Sequence, residues 1–181
     1  IKGGTNVIIK LNDQELLLGT TDGLYIVKSK TKQFFNYKIP SATQNKDPGN
    51  IIMNVYADKK DIVWIGQWGD FLSSFDTKSK TFSFYQPLLQ NALKRENVNL
   101  SIVPANNDSI LLVSDLYHGV FLFNSKTGKP VKHLIVPGRK VVDYNSCFVD
   151  RNNGIWLATS NGVFVIDPLK QIITTHQLMP G

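Results

Sequence analysis

Four stretches of this 181-residue chain repeat one another in register, and that repeat restricts the possible folds more than any other feature. They are Leu16–Ile26, Ile62–Leu72, Ile110–Leu122 and Ile155–Val165. Each holds a short apolar run, a small residue, a glycine-bearing turn and a second apolar run. Gly19, Gly66, Val113 and Ala158 are equivalent, with steps of 47, 47 and 45 residues. A unit repeated at this period is one supersecondary element that cannot bury its apolar surface alone and stacks on its neighbours.

The pattern within each unit predicts four strands. The first unit offers Asn6–Leu11, Glu15–Thr20, Leu24–Lys28 and Gln33–Tyr37, and the second Ile51–Ala57, Ile62–Gln67, Phe71–Asp76 and Thr81–Tyr85. The third offers Leu100–Pro104, Ile110–Ser114, Val120–Asn124 and Val131–Ile135, and the fourth Cys147–Asp150, Ile155–Thr159, Val163–Asp167 and Gln171–His176. Turn chemistry separates them, as at Asn12-Asp13, Asp58–Asp61 and Asn152-Asn153-Gly154. Leu88–Glu96 is the one helical candidate. Composition agrees: 15 valines and 16 isoleucines stand against 5 alanines and 2 glutamates, which disfavours a helical bundle.

Four antiparallel strands at this period predict an all-β chain of β-propeller blades. The blades span 6–37, 51–85, 100–135 and 147–176, within one domain covering 1–181. A four-stranded sheet has two apolar faces, and stacking blade on blade covers both. Trp64 and Trp156 are expected to fill between blades, and Gly66 and Ala158 to sit where sheets approach closely.

At 42% hydrophobic and 19% charged the chain is globular, and no apolar run is long enough to span a bilayer. The net charge of +6 is a mild basic excess. The single cysteine, Cys147, excludes an internal disulfide or a multi-cysteine metal site, and a buried structural thiol is expected there. The chain begins at Ile1 without a basic-then-apolar leader, and it is expected to be a piece of something longer.

Two repeats carry a family resemblance. Asp58…Ile62-Val63-Trp64-Ile65-Gly66…Phe75-Asp76…Phe82-Ser83-Phe84-Tyr85 resembles the two-component regulator propeller repeat, as does Asp150-Arg151-Asn152-Asn153-Gly154-Ile155-Trp156-Leu157-Ala158-Thr159-Ser160-Asn161-Gly162-Val163. The first repeat matches at Leu18-Gly19-Thr20 and Gly23-Leu24. The third departs, with Leu111 for the tryptophan and Val113-Ser114 for Gly-Thr. The resemblance implies the periplasmic sensor region of a hybrid two-component histidine kinase. Such regions use seven-bladed propellers ahead of a β-sandwich, a membrane helix and kinase modules, and the ligands known for them tend to be oligosaccharides. On that basis the four blades are an arc of a larger ring. The chain is a non-catalytic, extracytoplasmic part of a membrane-anchored receptor. Its partners are an oligosaccharide or other small ligand, further blades or domains of the same protein, and a second copy in a homodimer. Neither nucleic acid nor membrane contact is expected within the chain.

Blade geometry sorts the loops onto two rims. Connections from second to third strand share a rim with the links between blades, which include the long connectors 38–50, 86–99 and 136–146. Long loops on a rigid scaffold are where binding concentrates. This rim carries Trp68 and Asp70, then Asp115, Tyr117 and His118, with Arg139 and Tyr144 on a connector. Aromatic faces beside carboxylates and a guanidinium suit a sugar. Loop packing explains Trp68 and Tyr117 equally, and a solvated loop histidine explains His118. The opposite rim is lysine-rich, with Lys28, Lys30, Lys32, Lys78, Lys80, Lys126, Lys129 and Lys170 making 8 of the 20 basic residues. It reads either as an anion patch or as ordinary solubilising decoration, and the pattern favours decoration.

Catalysis has little support in the sequence, although propeller glycosidases assemble paired carboxylates across blades. The chain has no H-E-x-x-H, no G-x-S-x-G, no P-loop and no G-x-G-x-x-G. No cofactor or metal is expected. A propeller-fold polysaccharide lyase or glycoside hydrolase, and a protein-binding scaffold, stand as the alternatives to a sensor.

Overall fold

The computed structural model describes residues 1–40, 50–58, 61–68, 71–85, 101–106, 109–113, 120–134, 144–159, 162–167 and 172–176. Among them stand sixteen strands and no helix. Four antiparallel sheets form, each of four strands in simple sequence order. Blade 1 is β1 (Thr5–Lys10), β2 (Glu15–Thr20), β3 (Gly23–Lys28) and β4 (Phe34–Tyr37). Blade 2 is β5 (Ile52–Ala57), β6 (Ile62–Gln67), β7 (Phe71–Asp76) and β8 (Thr81–Tyr85). Blade 3 is β9 (Ser101–Asn106), β10 (Ser109–Val113), β11 (Val120–Asn124) and β12 (Lys129–Leu134). Blade 4 is β13 (Tyr144–Val149), β14 (Ile155–Thr159), β15 (Gly162–Asp167) and β16 (Ile172–His176). These are blades of the propeller type, as the repeat implied. The helical candidate Leu88–Glu96 lies outside the described residues.

The chain divides into two compact units, one holding blades 1 and 2 and the other blades 3 and 4. In the first, Leu17, Leu24 and Ile26 of blade 1 pack against Ile52, Val55, Val63, Ile65 and Phe75 of blade 2. All eight are buried, and each contributes about 1.5–3 kcal/mol by leaving water. The period-2 alternation decides the faces. In β6, Val63 and Ile65 meet blade 1, so Trp64 points to the other face, where its ring meets that of Tyr85 at a tilt of 35° with centroids 5.1 Å apart. Aromatic contacts continue the core outward, Tyr37 to Phe75 at 4.9 Å and Phe75 to Phe82 at 4.8 Å.

In the second unit Val120, Leu122 and Leu134 of blade 3 pack on Ile155, Leu157, Phe164 and Ile166 of blade 4, with Cys147 and Val149 alongside. As in the first unit, no tryptophan takes part in this cluster. Trp156 lies between Ile155 and Leu157 in β14 and so faces away from this cluster. It is half-buried, and its Nε1 donates to Asp150 Oδ2 at 2.7 Å.

Ten strands depart from their expected bounds, seven of them by a single residue at one or both ends, while β9, β12 and β13 shift further. β13 starts at Tyr144 rather than Cys147 because a bulge between Tyr144 and Ser146 adds a residue that breaks the alternation. β9 runs through Pro104 to Asn106, which is tolerated because β9 pairs only with β10 and is an edge.

Candidate ligand-binding rim

The glycine-bearing turn between second and third strands is built from a threonine. Thr20 is fully buried; its Oγ1 accepts the Asp22 N–H at 2.9 Å and donates to the Gly23 carbonyl at 2.8 Å. Blade 4 repeats the bond from Thr159 Oγ1 to the Gly162 carbonyl at 2.7 Å. Gly23 and Gly162 have φ of 108° and 114°, a region costly for any residue with a Cβ. The Gly-Thr and glycine signatures of the repeat are therefore the parts of one rim turn. Blade 2 substitutes Gln67, which is buried and accepts from Ser73 Oγ at 3.2 Å.

The rim of blade 1 carries a polar cluster. Asp22 is joined to Lys38 by a salt bridge, accepts the Tyr25 hydroxyl at 3.0 Å and accepts from Asn36 Nδ2 at 3.3 Å. Lys38 first, and Tyr25 second, hold the Asp22 carboxyl below the usual carboxylate range. Asn50 closes the same site from the far end of the connector. Its carbonyl accepts the Gly23 N–H at 2.9 Å, and its Oδ1 accepts the Ile39 N–H at 2.6 Å. These groups satisfy one another, so the cluster pins both ends of the connector to the β2–β3 turn. Sequence reading passed over it. The signal was positional: Thr21 and Asp22 occupy in blade 1 the turn that Trp68 occupies in blade 2.

Of the seven residues expected to bind a ligand, Trp68 alone has a described side chain. It is half-buried in the β6–β7 turn, and its N–H donates to the Ile51 carbonyl at 3.0 Å. Thr21 makes the equivalent bond to the Gly4 carbonyl at 2.9 Å, so this backbone position is fixed by the blade and not by a ligand. Asp70, Asp115, Tyr117, His118 and Arg139 lie outside the described residues. Tyr144 is not on a connector, as expected from sequence, but opens β13 opposite Thr159, the bulge having extended the strand.

The other rim holds the Asx turns. Asp76 Oδ1 accepts Lys78 N–H at 2.7 Å and Ser79 N–H at 3.0 Å, and Asn124 Oδ1 accepts Lys126 N–H at 2.9 Å and Thr127 N–H at 3.0 Å. Between blades 1 and 2 a cleft of about 470 Å³ opens here, lined by Lys10, Asn12, Glu15, Asp58, Asp61 and Lys78 among others. Its charges are largely self-paired, Lys78 with Asp61 at 2.6 Å and Lys10 with the neighbouring Asp13 at 2.6 Å. Among the described residues no three His, Cys, Asp or Glu side chains are grouped to hold a metal ion.

No family model matches the sequence, and no curated protein matches it. Solved structures do. The extracellular domain assigned to the hybrid two component system BT4673 of B. thetaiotaomicron aligns with a TM-score of 0.74 at 16% identity, over 99% of this chain and 23% of that one. The corresponding domain assigned to BT3049 of the same organism aligns with a TM-score of 0.70 at 17% identity, over 100% of this chain and 25% of that one. The computationally designed Ika8 protein aligns with a TM-score of 0.64 at 14% identity, over 97% of this chain and 48% of that one. The chain thus spans about a quarter of the length of the two natural domains. At these identities the likeness concerns the fold, and the chain shares its fold with the extracellular domains of hybrid two component systems.

Proposed function

We propose that the chain is an arc of blades from the extracytoplasmic, ligand-sensing propeller of a hybrid two-component sensor. The observation that carries this reading is the alignment of nearly the whole chain with the extracellular domain assigned to BT4673. The repeat motifs around Trp64 and Trp156 support it independently. On this reading the protein is periplasmic and membrane-anchored, the larger ring has about seven blades, and the chain itself performs no catalysis. The ligand is an oligosaccharide held at the rim of Trp68, Asp70, Asp115, Tyr117, His118, Arg139 and Tyr144. Aromatic rings stack on the carbon–hydrogen face of a sugar, and the polar groups bond its hydroxyls. Binding shifts the rigid-body arrangement of blades and neighbouring domains across a homodimer.

Calorimetry against a panel of neutral oligosaccharides tests it. A fragment should bind the protein, and Trp68→Ala and Tyr117→Ala should each weaken that binding at least fivefold. Glycan binding left unchanged in both variants would remove the rim from the reading. Release of reducing ends from any polysaccharide, abolished by a single aspartate substitution, would replace the sensor with an enzyme.

A further inference from the structure

The outer strands of blades 1 and 2 turn aromatic rings toward the seam they share. Cross-strand partners lie on one face, so Phe35, opposite Ile26, and Tyr37, opposite Leu24, point toward blade 2. By the same rule Phe82, opposite Phe75, and Phe84, opposite Ser73, point toward blade 1. Tyr37 and Phe82 each meet the Phe75 ring and close the seam. Phe35 and Phe84, two residues away on their strands, keep 44% and 41% of their surface. Both face a seam internal to the chain, so a further blade of a larger ring leaves them open.

Two more features sit with these rings. β4 and β8 are each the last strand of a sheet, paired on one side only. Edge strands are usually blunted by charge or proline, whereas β8 offers an open phenylalanine beside its unpaired backbone. Cations stand over the rings, Lys28 Nζ 5.6 Å from the Phe35 centre and Lys80 Nζ 5.7 Å from that of Tyr37. Among the described residues Asp61 neutralises Lys78, but no carboxylate forms an ion pair with Lys28 or Lys80.

We infer that this seam is a docking groove for an extended peptide of another protein, apolar at alternate positions and acidic at its ends. The β8 edge supplies main-chain donors and acceptors to a strand laid beside it. Alternate side chains of that strand fall on the face of Phe82 and Phe84, in the seam that Phe35 borders from blade 1. Thr81 and Ser83, small and exposed, occupy the opposite face of β8 and leave room there. Acidic residues at the peptide's end meet Lys80 and Lys28, which sets the sign of the partner. A second copy of this chain, at a net charge of +6, carries the same sign as the groove. A sugar needs amides or carboxylates beside its stacking rings, and β4 and β8 place none on this face. The groove is separate from the rim of Trp68 and does not rest on the sensor reading.

Fluorescence anisotropy on the full chain tests it with a labelled peptide in which phenylalanine and leucine alternate with serine between aspartate pairs. The peptide should bind, with affinity falling as salt rises. Replacing its aspartates with lysines, or grouping its apolar residues in one block, should weaken binding at least roughly fivefold. Phe84→Thr and Phe35→Thr, which suit a strand, should each weaken it about three- to tenfold. Lys28→Gln and Lys80→Asn should each cost about two- to fivefold and flatten the salt dependence, asparagine suiting the left-handed backbone of position 80. Phe34→Thr, on the opposite face of β4, should leave binding unchanged. Amide exchange in the parent protein should slow across Thr81–Tyr85 when peptide is added, whatever the fold of any variant. The inference falls if the peptide does not bind, if the Phe84 and Lys80 variants bind as the parent does, if the lysine peptide binds as tightly, or if exchange in β8 is unchanged. It falls equally if a neutral oligosaccharide displaces the peptide, or if the chain alone dimerises and Phe84→Thr abolishes the dimer, since the occupant is then a glycan or a second copy.

Discussion

A Cβ atom on Gly19 would stand 2.6 Å from Ile52 Cγ2. Gly19 belongs to blade 1 and Ile52 to blade 2, so the two blades approach closely here. Val7 Cγ1 would crowd the same atom at 2.6 Å. Both neighbours are β-branched and stiff, and Ile52 is fully buried, so neither has room to yield. Gly19→Ala should destabilise the protein by about 1–3 kcal/mol through overpacking. Ile52→Val combined with Gly19→Ala should recover part of that loss. Chemical denaturation of the two single variants and the double variant checks both statements, and a Gly19→Ala protein of parental stability would disprove the seam.

Asp150 links the acidic turn of blade 4 to its tryptophan. One carboxylate oxygen accepts Trp156 Nε1 at 2.7 Å, and the other accepts the Asn152 and Gly154 N–H groups at 2.8 Å each. The Trp156 bond first, then the Gly154 amide, hold its pKa below 3.8. A carboxyl depressed on folding adds stability that is present above its unfolded value and lost as pH falls through its folded value. Asp150→Asn turns a donor toward either the indole N–H or the Asn152 and Gly154 amides and should lower Tm at neutral pH. It should also remove part of the stability loss below pH 4. In a Trp156→Phe background the same substitution should cost less, because the indole bond is already gone. Melting curves from pH 2 to 7 on the four proteins test the coupling.

The β3–β4 type of hairpin ends in a left-handed residue in three blades. Lys32, Lys80 and Gly128 have φ of 59°, 61° and 67°, and each N–H bonds back four residues, to Lys28, Asp76 and Asn124 respectively. Blade 3 places glycine where blades 1 and 2 place lysine. Lys80→Gly should therefore stabilise blade 2 by up to about 1 kcal/mol, the relief of the left-handed strain outweighing the greater freedom of glycine in the unfolded chain. Lys80→Val at the same position should destabilise. Urea titrations of the pair give opposite signs if the backbone is as described.

The strands were legible because each is an apolar run bounded by turn residues. β2, β6, β7, β8, β11 and β14 keep their sequence-read bounds. Inner strands were harder to delimit. β1, β5 and β13 each carry a register shift near the start, and the extra residue interrupts the alternation that sequence reading depends on. Facing was also hidden. Trp64 and Trp156 read as filler for these seams, yet the residues on either side of each make them, Val63 and Ile65 between blades 1 and 2 and Ile155 and Leu157 between blades 3 and 4. The Asp22–Lys38 pair was invisible because its partners lie sixteen residues apart and meet only once the connector returns to its own turn.

Cys147 packs beside the seam of blades 3 and 4, and burial pushes its thiol up to about 11, a hydrogen bond with Ser101 opposing the shift. Reactivity follows the thiolate. At pH 9 a thiol with its ordinary pKa near 9 is half ionised, whereas one near 11 is about 1% ionised, so alkylation should slow by roughly fifty-fold from ionisation alone. Iodoacetamide at pH 9 should therefore modify the folded protein slowly and the urea-unfolded protein rapidly, with Cys147 the sole site in both. Cys147→Ala should abolish labelling and cost about 1 kcal/mol of stability, since losing a half-buried thiol leaves a small void against the apolar cluster of blades 3 and 4. Equal labelling rates in the folded and unfolded protein would show an accessible, ordinary thiol and overturn the buried structural role.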